Sequence, residues 1–345
     1  MRIYDNFHRE SFNLRRYFLS QEIDNNMYKN ILLLLTTVFF CSCSKSTSPT
    51  TALPAAKDTT IFAGTAGGGV YRSIDNGGSW SQINKGFSGT KIRVNVFAVQ
   101  GSTIFAGTGG NGVYKSQDNG DTWTKSNTGF PNSSVTALCT FGNAIFAGTS
   151  IGILSRSRDS GNTWEDISAN LSVKTVYTLS AGASIFTGTD KGVYSSNDVG
   201  ASWTQFNSGL PKSGIYSIAN IGVLIFLGTD SGVYRSANNG LSWEKSGSGL
   251  SKLKVQALTI SDSKIFAGTN GNGIFRSTDN GDNWTQINTG LSDMFVNIFT
   301  VNGTTIFAGT NSGGVSISTN NGDSWVQSNY GLTDPFVNAL IVKAK

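Results

Sequence analysis

The sequence predicts an all-β protein, a single seven-bladed β-propeller made of four-stranded blades. All seven tryptophans lie in one series with spacings of 43, 41, 39, 40, 41 and 41 residues. The series is Trp80, Trp123, Trp164, Trp203, Trp243, Trp284 and Trp325. A Gly-Thr pair repeats in step with it, at Gly64, Gly107, Gly148, Gly188, Gly228, Gly268 and Gly309. Repeats of about 40 residues with four strands each are typical of propeller blades, and seven of them fill residues 60–345.

The composition supports this fold class. Glycine accounts for 42 of 345 residues and charged residues for 14%, against about 7% and about 25% in ordinary proteins. Such a chain favours strands and tight turns over helices, and an aromatic content of 11% argues against disorder. The net charge of +5 is dispersed rather than clustered, so we expect no nucleic-acid partner.

Each repeat predicts four short strands, A to D. In the second repeat these are residues 94–99, 103–108, 112–116 and 122–127, with Gly and Asn at the junctions. Strand B carries a phenylalanine in every repeat, which suits sheets that pack face to face. The glycine two residues later predicts close approach of another backbone.

The two chain ends are predicted to form one blade together. The first repeat begins at strand B, and the last repeat is followed by an additional strand A at residues 336–342. We expect this strand to pair with residues 60–65 and to complete the first blade. Closure of this kind removes the exposed sheet edges that promote aggregation.

The residues before the repeats are predicted to direct export. Residues 31–40 form an apolar run of ten, shorter than the ~20 residues that span a bilayer but suited to a signal-peptide core. The sequence Phe-Cys-Ser-Cys-Ser-Lys that follows resembles a bacterial lipoprotein signal, which implies lipidation of Cys43. An ordinary secretory signal with incidental cysteines is the alternative. The predicted divisions are a non-native extension at 1–26, a lipoprotein signal peptide at 27–43 and a flexible tether at 44–59.

The turn between strands C and D has the same pattern in every repeat, for example SQDNGDTW at residues 116–123. This pattern resembles the Asp-box, or BNR repeat, Ser-x-Asp-x-Gly-x-Thr-Trp. We expect its acidic or amide residue to accept backbone N–H groups, its glycine to take a positive φ, and its tryptophan to fill the gap to a neighbouring sheet. Because the acceptors recur in every repeat, we interpret them as structural and expect no metal site. They are Asp75, Asp118, Asp159, Asp198, Asn238, Asp279 and Asn320.

The resemblance alone does not imply one activity, because Asp-box propellers include sialidases, other glycoside hydrolases, sortilin-type receptors and photosystem II assembly factors. Sialidases of this type use three arginines, a Tyr nucleophile activated by Glu, and an acid/base Asp. After the predicted signal, the glutamates are Glu165 and Glu244, and both directly follow a turn tryptophan. A Phe/Tyr-Arg-Ile-Pro segment is absent from the sequence. We therefore assign no catalytic residue and no cofactor-binding residue.

Differences between the repeats point to the face formed by the B–C and D–A loops. The charged candidates there are Asp190, Asp230, Arg93, Lys252 and Lys254. A second variable series follows the first Val or Ile of strand A and is predicted at the mouth of the central channel. It comprises Asn95, Thr136, Tyr177, Tyr216, Gln256, Asn297 and Asn338. The two tyrosines of this series belong to adjacent blades and suit contact with a sugar or a peptide; solvated loop charges and simple channel filling are the alternatives.

The sequence thus predicts a non-catalytic binding or assembly scaffold that docks a protein or glycan of the cell envelope on its loop face. We expect it to be exported and lipid-anchored, at the outer membrane of a bacterium, and to touch the membrane only through that lipid. A monomer without cofactors is expected. The alternative is a carbohydrate-active enzyme, either sialidase-like or another glycoside hydrolase.

Overall fold

The computed structural model describes residues 59–344 and confirms the predicted fold class. These residues form seven antiparallel four-stranded sheets, whose strands we number β1 to β28 in chain order. Helices are absent from this part of the chain. The predicted extension, the signal peptide, Cys43 and residues 44–58 of the tether lie outside the described residues.

Each sheet contributes one strand to each of four concentric layers. The inner strands are β28 (Val337–Ala344), β4 (Val94–Gln100), β8 (Val135–Phe141), β12 (Val176–Ala181), β16 (Ile215–Ile221), β20 (Val255–Ser261) and β24 (Val296–Asn302). The second strands are β1 (Thr59–Thr65), β5 (Thr103–Thr108), β9 (Ala144–Thr149), β13 (Ile185–Thr189), β17 (Leu224–Thr229), β21 (Lys264–Thr269) and β25 (Thr305–Thr310). The third strands are β2 (Val70–Ser73), β6 (Val113–Ser116), β10 (Leu154–Ser157), β14 (Gly192–Ser196), β18 (Gly232–Ser236), β22 (Ile274–Ser277) and β26 (Val315–Ser318). The outer strands are β3 (Ser81–Gln82), β7 (Thr124–Lys125), β11 (Glu165–Asp166), β15 (Thr204–Gln205), β19 (Glu244–Lys245), β23 (Thr285–Gln286) and β27 (Val326–Gln327).

The C-terminal strand closes the first blade, as predicted. Strand β28 pairs antiparallel with β1, from Thr59 opposite Ala344 to Thr65 opposite Val337. It also packs beside the inner strands β24 and β4 of the two neighbouring blades. The ring of blades is therefore closed by pairing between the two ends of the described chain.

Seven separate hydrophobic cores lie between adjacent blades. The strand-B phenylalanines are buried in them, and the glycine two residues later lets the next blade approach. A Cβ placed on Gly107 would lie 2.6 Å from Cγ1 of Val135, and one on Gly188 would lie 2.6 Å from the backbone oxygen of Ile215. These close approaches agree with the prediction drawn from the Gly-Thr pair.

The predicted outer strand at residues 122–127 is wrong in length, because only Thr124–Lys125 forms β7. The turn occupies the chain up to Trp123, whose backbone N–H donates to the oxygen of Lys85 in the preceding blade (2.8 Å) rather than to its own sheet. Two-residue outer strands leave little free edge for pairing with other chains.

The C–D turn is held by hydrogen bonds that its short pattern supplies. Asp118 Oδ1 accepts the backbone N–H of Thr122 (2.9 Å) and the hydroxyl of Ser116 (2.8 Å). The same Ser116 hydroxyl accepts the N–H of Gly120, whose φ is +90°. An asparagine serves equally well, since Asn238 Oδ1 accepts the N–H of Ser242 at 3.0 Å. The position of these groups within the turn favours a structural role.

The residue before the turn glycine also has a positive φ, which the sequence did not suggest. It is an asparagine in five blades and a serine in one, but in the fourth blade it is Val199, with φ +58°. A β-branched side chain is strained in this region.

We expect Val199→Asn to raise the free energy of unfolding by about 1 kcal/mol, measured by urea denaturation. The converse substitution Asn239→Val serves as control and should destabilise by a similar amount; a neutral or destabilising Val199→Asn would contradict the strain argument.

The turn carboxylates give a specific expectation for acid stability. The Thr122 hydroxyl lowers the pKa of Asp118 to about 2. The side chains of Thr163 and Asn283 lower the pKa values of Asp159 and Asp279 to about 2 in the same way. Because these values lie below the unfolded value of about 3.9, the stabilisation is complete above pH 4 and is lost as the pH falls towards 2. The triple Asp→Asn variant keeps the acceptors and should show a shallower loss of stability between pH 4 and 2. Urea midpoints across that range measure it, and an unchanged slope would refute the assignment.

Candidate functional site

A cavity of about 280 Å³ lies in the central channel between the inner strands. The variable series identified in the sequence lines it, and we call these seven residues the channel ring. In blade order they are Asn338, Asn95, Thr136, Tyr177, Tyr216, Gln256 and Asn297.

Each channel-ring residue is the extra residue of a β-bulge. In the second blade Val94 pairs with Thr108 and Val96 pairs with Gly107, which leaves Asn95 unpaired. The same shift recurs in the other six blades. Bulges of this kind redirect a side chain and often occur beside functional sites. The bulge therefore explains how the extra residue of each blade comes to line the cavity, which in six blades it does together with the residues that follow it in the inner strand.

In four blades the channel-ring side chain links two inner strands. It donates to the backbone oxygen of the first valine in the next inner strand, for example from Asn95 Nδ2 to Val135 (2.9 Å) and from Asn297 Nδ2 to Val337 (3.1 Å). Thr136 and Asn338 make the equivalent bonds. Within residues 59–344, Tyr177, Tyr216 and Gln256 make no such bond. Three consecutive blades, the fourth to the sixth, thus depart from the structural pattern.

The departing blades bring four of the candidate residues together; we call Tyr177, Tyr216, Asp230 and Lys254 the tyrosine cluster. The two tyrosine rings lie 4.9 Å apart between centroids, tilted by 45°. The Tyr216 hydroxyl donates to Asp230 Oδ1 at 3.0 Å. Lys254 Nζ lies 3.9 Å from the centroid of the Tyr216 ring. The ammonium group therefore covers one face of that ring, which a sugar would otherwise contact.

Both phenols of the tyrosine cluster are stabilised in their neutral form. Burial, followed by the charges of Asp190 and Asp230, raises the pKa of Tyr177. Burial and the hydrogen bond to Asp230 raise the pKa of Tyr216. A tyrosine nucleophile needs the opposite shift or an adjacent base that takes its proton. Asp230 is such a base beside the Tyr216 hydroxyl, whereas the Tyr177 hydroxyl makes no hydrogen bond to a carboxylate within residues 59–344. In their neutral form both hydroxyls can form hydrogen bonds with a ligand.

The carboxylates of the loop face link one loop to another. Asp190 Oδ1 accepts the backbone N–H groups of Lys174 (2.8 Å) and Thr175 (3.2 Å). Asp293 and Asp334 bond in the same way to the B–C loops of their own blades. No group of three or more His, Cys, Asp or Glu side chains placed to hold a metal ion occurs within the described chain.

Arg93 and Lys252 form no hydrogen bond or ion pair with the tyrosine cluster within residues 59–344. Arg93 precedes β4 in the second blade, and its Nε donates to Oδ1 of Asn95 at 2.9 Å. Lys252 is exposed in the loop before β20, with a φ of +68°. Glu165 and Glu244 lie on the outer strands β11 and β19, where they pair with Arg156 and Arg235.

The comparison with protein families gives a match over most of the repeats. The model of the DUF6242 beta propeller domain matches residues 89–222 and again residues 218–339. The chain belongs to this family. No curated protein matches the sequence. Among residues 59–344, no helix has the length and apolar character needed to cross a membrane.

Solved structures share the propeller fold at low identity. The GH74 xyloglucanase of Xanthomonas campestris is 16% identical with a TM-score of 0.68; the match covers 81% of this chain and 54% of that one, so this chain spans about half of the xyloglucanase. YCF48 bound to D1 peptide is 14% identical with a TM-score of 0.59, over 73% of this chain and 92% of that one. The extracellular domain of BT4673 from B. thetaiotaomicron is 17% identical with a TM-score of 0.51, over 78% and 45%. These likenesses show the fold alone.

Proposed function

We propose that this propeller is a non-catalytic binding or assembly scaffold that docks a protein or glycan at the loop-face mouth of its channel. The departure of three consecutive channel-ring residues from strand linking carries the proposal. In the other four blades the channel-ring residue bonds to the next blade, and this bond is missing for Tyr177, Tyr216 and Gln256 among the described residues. The tyrosine cluster also holds one carboxylate, of Asp230, and one ammonium group, of Lys254. Aromatic rings with hydroxyl groups at the edge of a polar cavity suit recognition of a ligand.

The geometry favours binding over hydrolysis. The loop-face carboxylates accept hydrogen bonds from loop backbone, and the pKa of each phenol in the cluster is raised. The likeness to a xyloglucanase is one of fold. A sialidase-like or other glycoside hydrolase stays the alternative, and a hydrolysis assay on envelope glycans would support it.

The proposed location is the cell envelope, with the propeller exported and anchored through a lipid on Cys43, at the outer membrane. The lipoprotein-like sequence before the repeats supports the anchor, and the fold shared with an extracellular domain is consistent with export. Metabolic labelling with a fatty acid should mark the full chain and not its Cys43→Ser variant. A label that persists in Cys43→Ser and is lost in Cys41→Ser would show that the assignment to Cys43 is wrong.

The binding proposal is tested by affinity capture from detergent-solubilised envelopes with the full chain. The double variant Tyr177→Ala/Tyr216→Ala should lose the captured protein or glycan. Tyr330→Ala is the matched control, because Tyr330 is 82% exposed and does not line the channel cavity. Equal capture by all three proteins, or no capture by any of them, would contradict a docking role for the tyrosine cluster.

A further inference from the structure

One residue in each blade stands at the edge of the channel mouth, directly before the inner strand. In six blades its backbone oxygen accepts the N–H of the residue that follows the second strand, for example Gly109 to Arg93 (2.9 Å) and Asn270 to Lys254 (3.0 Å). These residues therefore occupy equivalent positions around the mouth. In blade order they are Phe336, Arg93, Ser134, Thr175, Gly214, Lys254 and Phe295.

Four consecutive members of this series are large and either aromatic or positively charged. They belong to the sixth, seventh, first and second blades. Two phenylalanines are flanked by two cations; with the adjacent Met294 we call this surface the mouth arc, formed by Lys254, Met294, Phe295, Phe336 and Arg93. The other three members of the series are small and uncharged.

Both cations of the mouth arc are held towards the channel. Lys254 Nζ lies 3.9 Å from the ring centroid of Tyr216, and Arg93 Nε lies 2.9 Å from Oδ1 of Asn95. Tyr216 and Asn95 are channel-ring residues, so the two positive charges stand on either side of the mouth. Their positions are fixed by these contacts without neutralising their charge.

Neither cation has an ionic partner within the described chain. All six ion pairs of residues 59–344 involve arginines on the third strands or in the C–D turns, away from the loop face. No carboxylate oxygen of these residues lies within 4.0 Å of Lys254 or Arg93. Both charges are therefore available to an anionic partner. Attraction between opposite charges would also raise the rate at which such a partner associates.

The centre of the mouth arc is apolar and open to solvent. Phe295 is 43% exposed and Met294 is 40% exposed, while Phe336 is half-buried. Aromatic residues, Met and Arg are the side chains enriched in protein interfaces. An apolar centre of this kind fits aliphatic or aromatic side chains better than the hydroxyl groups of a sugar.

Two carboxylates behind the phenylalanines set the pattern that a partner must meet. Asp293 and Asp334 each accept the N–H of the phenylalanine two residues later, at 3.0 and 3.1 Å. Their negative charge repels any carboxylate of a partner from the apolar centre. Acidic groups of the partner are therefore directed to the two flanking cations.

We infer that the mouth arc docks an acidic polypeptide segment in which apolar side chains lie between two carboxylates. The apolar side chains cover Phe295 and Phe336, and the carboxylates pair with Lys254 and Arg93. This inference rests on the proposed docking function and names the chemistry of its partner.

The test is selection of a phage-displayed library of random 12-residue peptides on the full chain. We expect recovered peptides to carry Asp or Glu on both sides of aliphatic or aromatic residues. A synthetic peptide from the selection should bind at least tenfold more weakly to Arg93→Gln/Lys254→Gln and, independently, to Phe295→Ser. The control variant Lys125→Gln/Lys245→Gln removes the same charge from the exposed outer strands and should bind like the parent.

Recovery of no peptide above background, of basic peptides, or of peptides without charge preference would overturn the inference. So would equal binding by the mouth-arc and control variants. Competition by alginate, a polyuronate, as effective as the free peptide would show that the surface takes an acidic glycan instead. If envelope capture still depends on the two tyrosines while the selection fails, the docking function stands and only this inference falls.

Discussion

Deletion of residues 336–345 is expected to unfold most of the protein at room temperature. The deleted strand β28 is the inner strand of the first blade and packs against both neighbouring blades. Val337, Ala339 and Leu340 are buried, and burial of each large apolar side chain contributes about 1.5–3 kcal/mol. The deletion therefore removes this stabilising free energy and also exposes the edge of β1. Together these effects are comparable with the ~5–15 kcal/mol that stabilises an average domain.

Urea denaturation followed by circular dichroism measures this effect, and size-exclusion chromatography detects association through the new edge. Deletion of residues 344–345 is the control, because it removes only the end of the strand and should change the midpoint little. A 336–345 deletion that unfolds at the same urea concentration as the full chain would contradict closure by β28.

Trp123→Ala is expected to lower the free energy of unfolding by about 3–5 kcal/mol. The indole is buried between the first two blades, with its ring centroid 5.1 Å from that of Phe87. Its Nε1 donates to the backbone oxygen of Ile83 at 3.0 Å, so the substitution removes both a large apolar contact and a link between blades.

Trp203→Ala is the matched comparison. Trp203 is also buried, but its Nε1 has no hydrogen-bond partner among the described residues. We expect its substitution to cost about 1 kcal/mol less than that of Trp123, since no hydrogen bond is lost. Equal losses, or a Trp123→Ala loss below that of Trp203→Ala, would contradict the role given to the indole N–H.

The sequence predicted the blades well because each one repeats the same local signals. The strand-B Phe and Gly, the turn pattern and the tryptophan recur every 39 to 43 residues, and in six blades the tryptophan backbone N–H makes the same hydrogen bond to a neighbouring blade. The outer strands were predicted too long, because residue patterns do not show that the tryptophan backbone bonds to another blade.

The candidate site was predicted less completely. The channel-ring positions followed from aligning the repeats, but the bulge that directs them inward depends on strand register, which the residue pattern leaves open. The contacts of Tyr216 with Asp230 and Lys254 join residues 14 and 38 positions away in sequence and depend on side-chain geometry. Phe295 is not among the residues that the sequence predicts for the site, although alignment of the residue before each inner strand places it in series with Lys254 and Arg93.

Site-specific photo-crosslinking in intact envelopes tests the docking face most directly. A benzophenone side chain at Gln256, on the channel ring beside the tyrosine cluster, should give a discrete adduct with the partner, and Tyr177→Ala/Tyr216→Ala should abolish it. The same group at Leu241, which is 65% exposed in a C–D turn on the opposite face, should give none. An adduct formed from Leu241 and not from Gln256 would contradict a ligand site at the channel mouth.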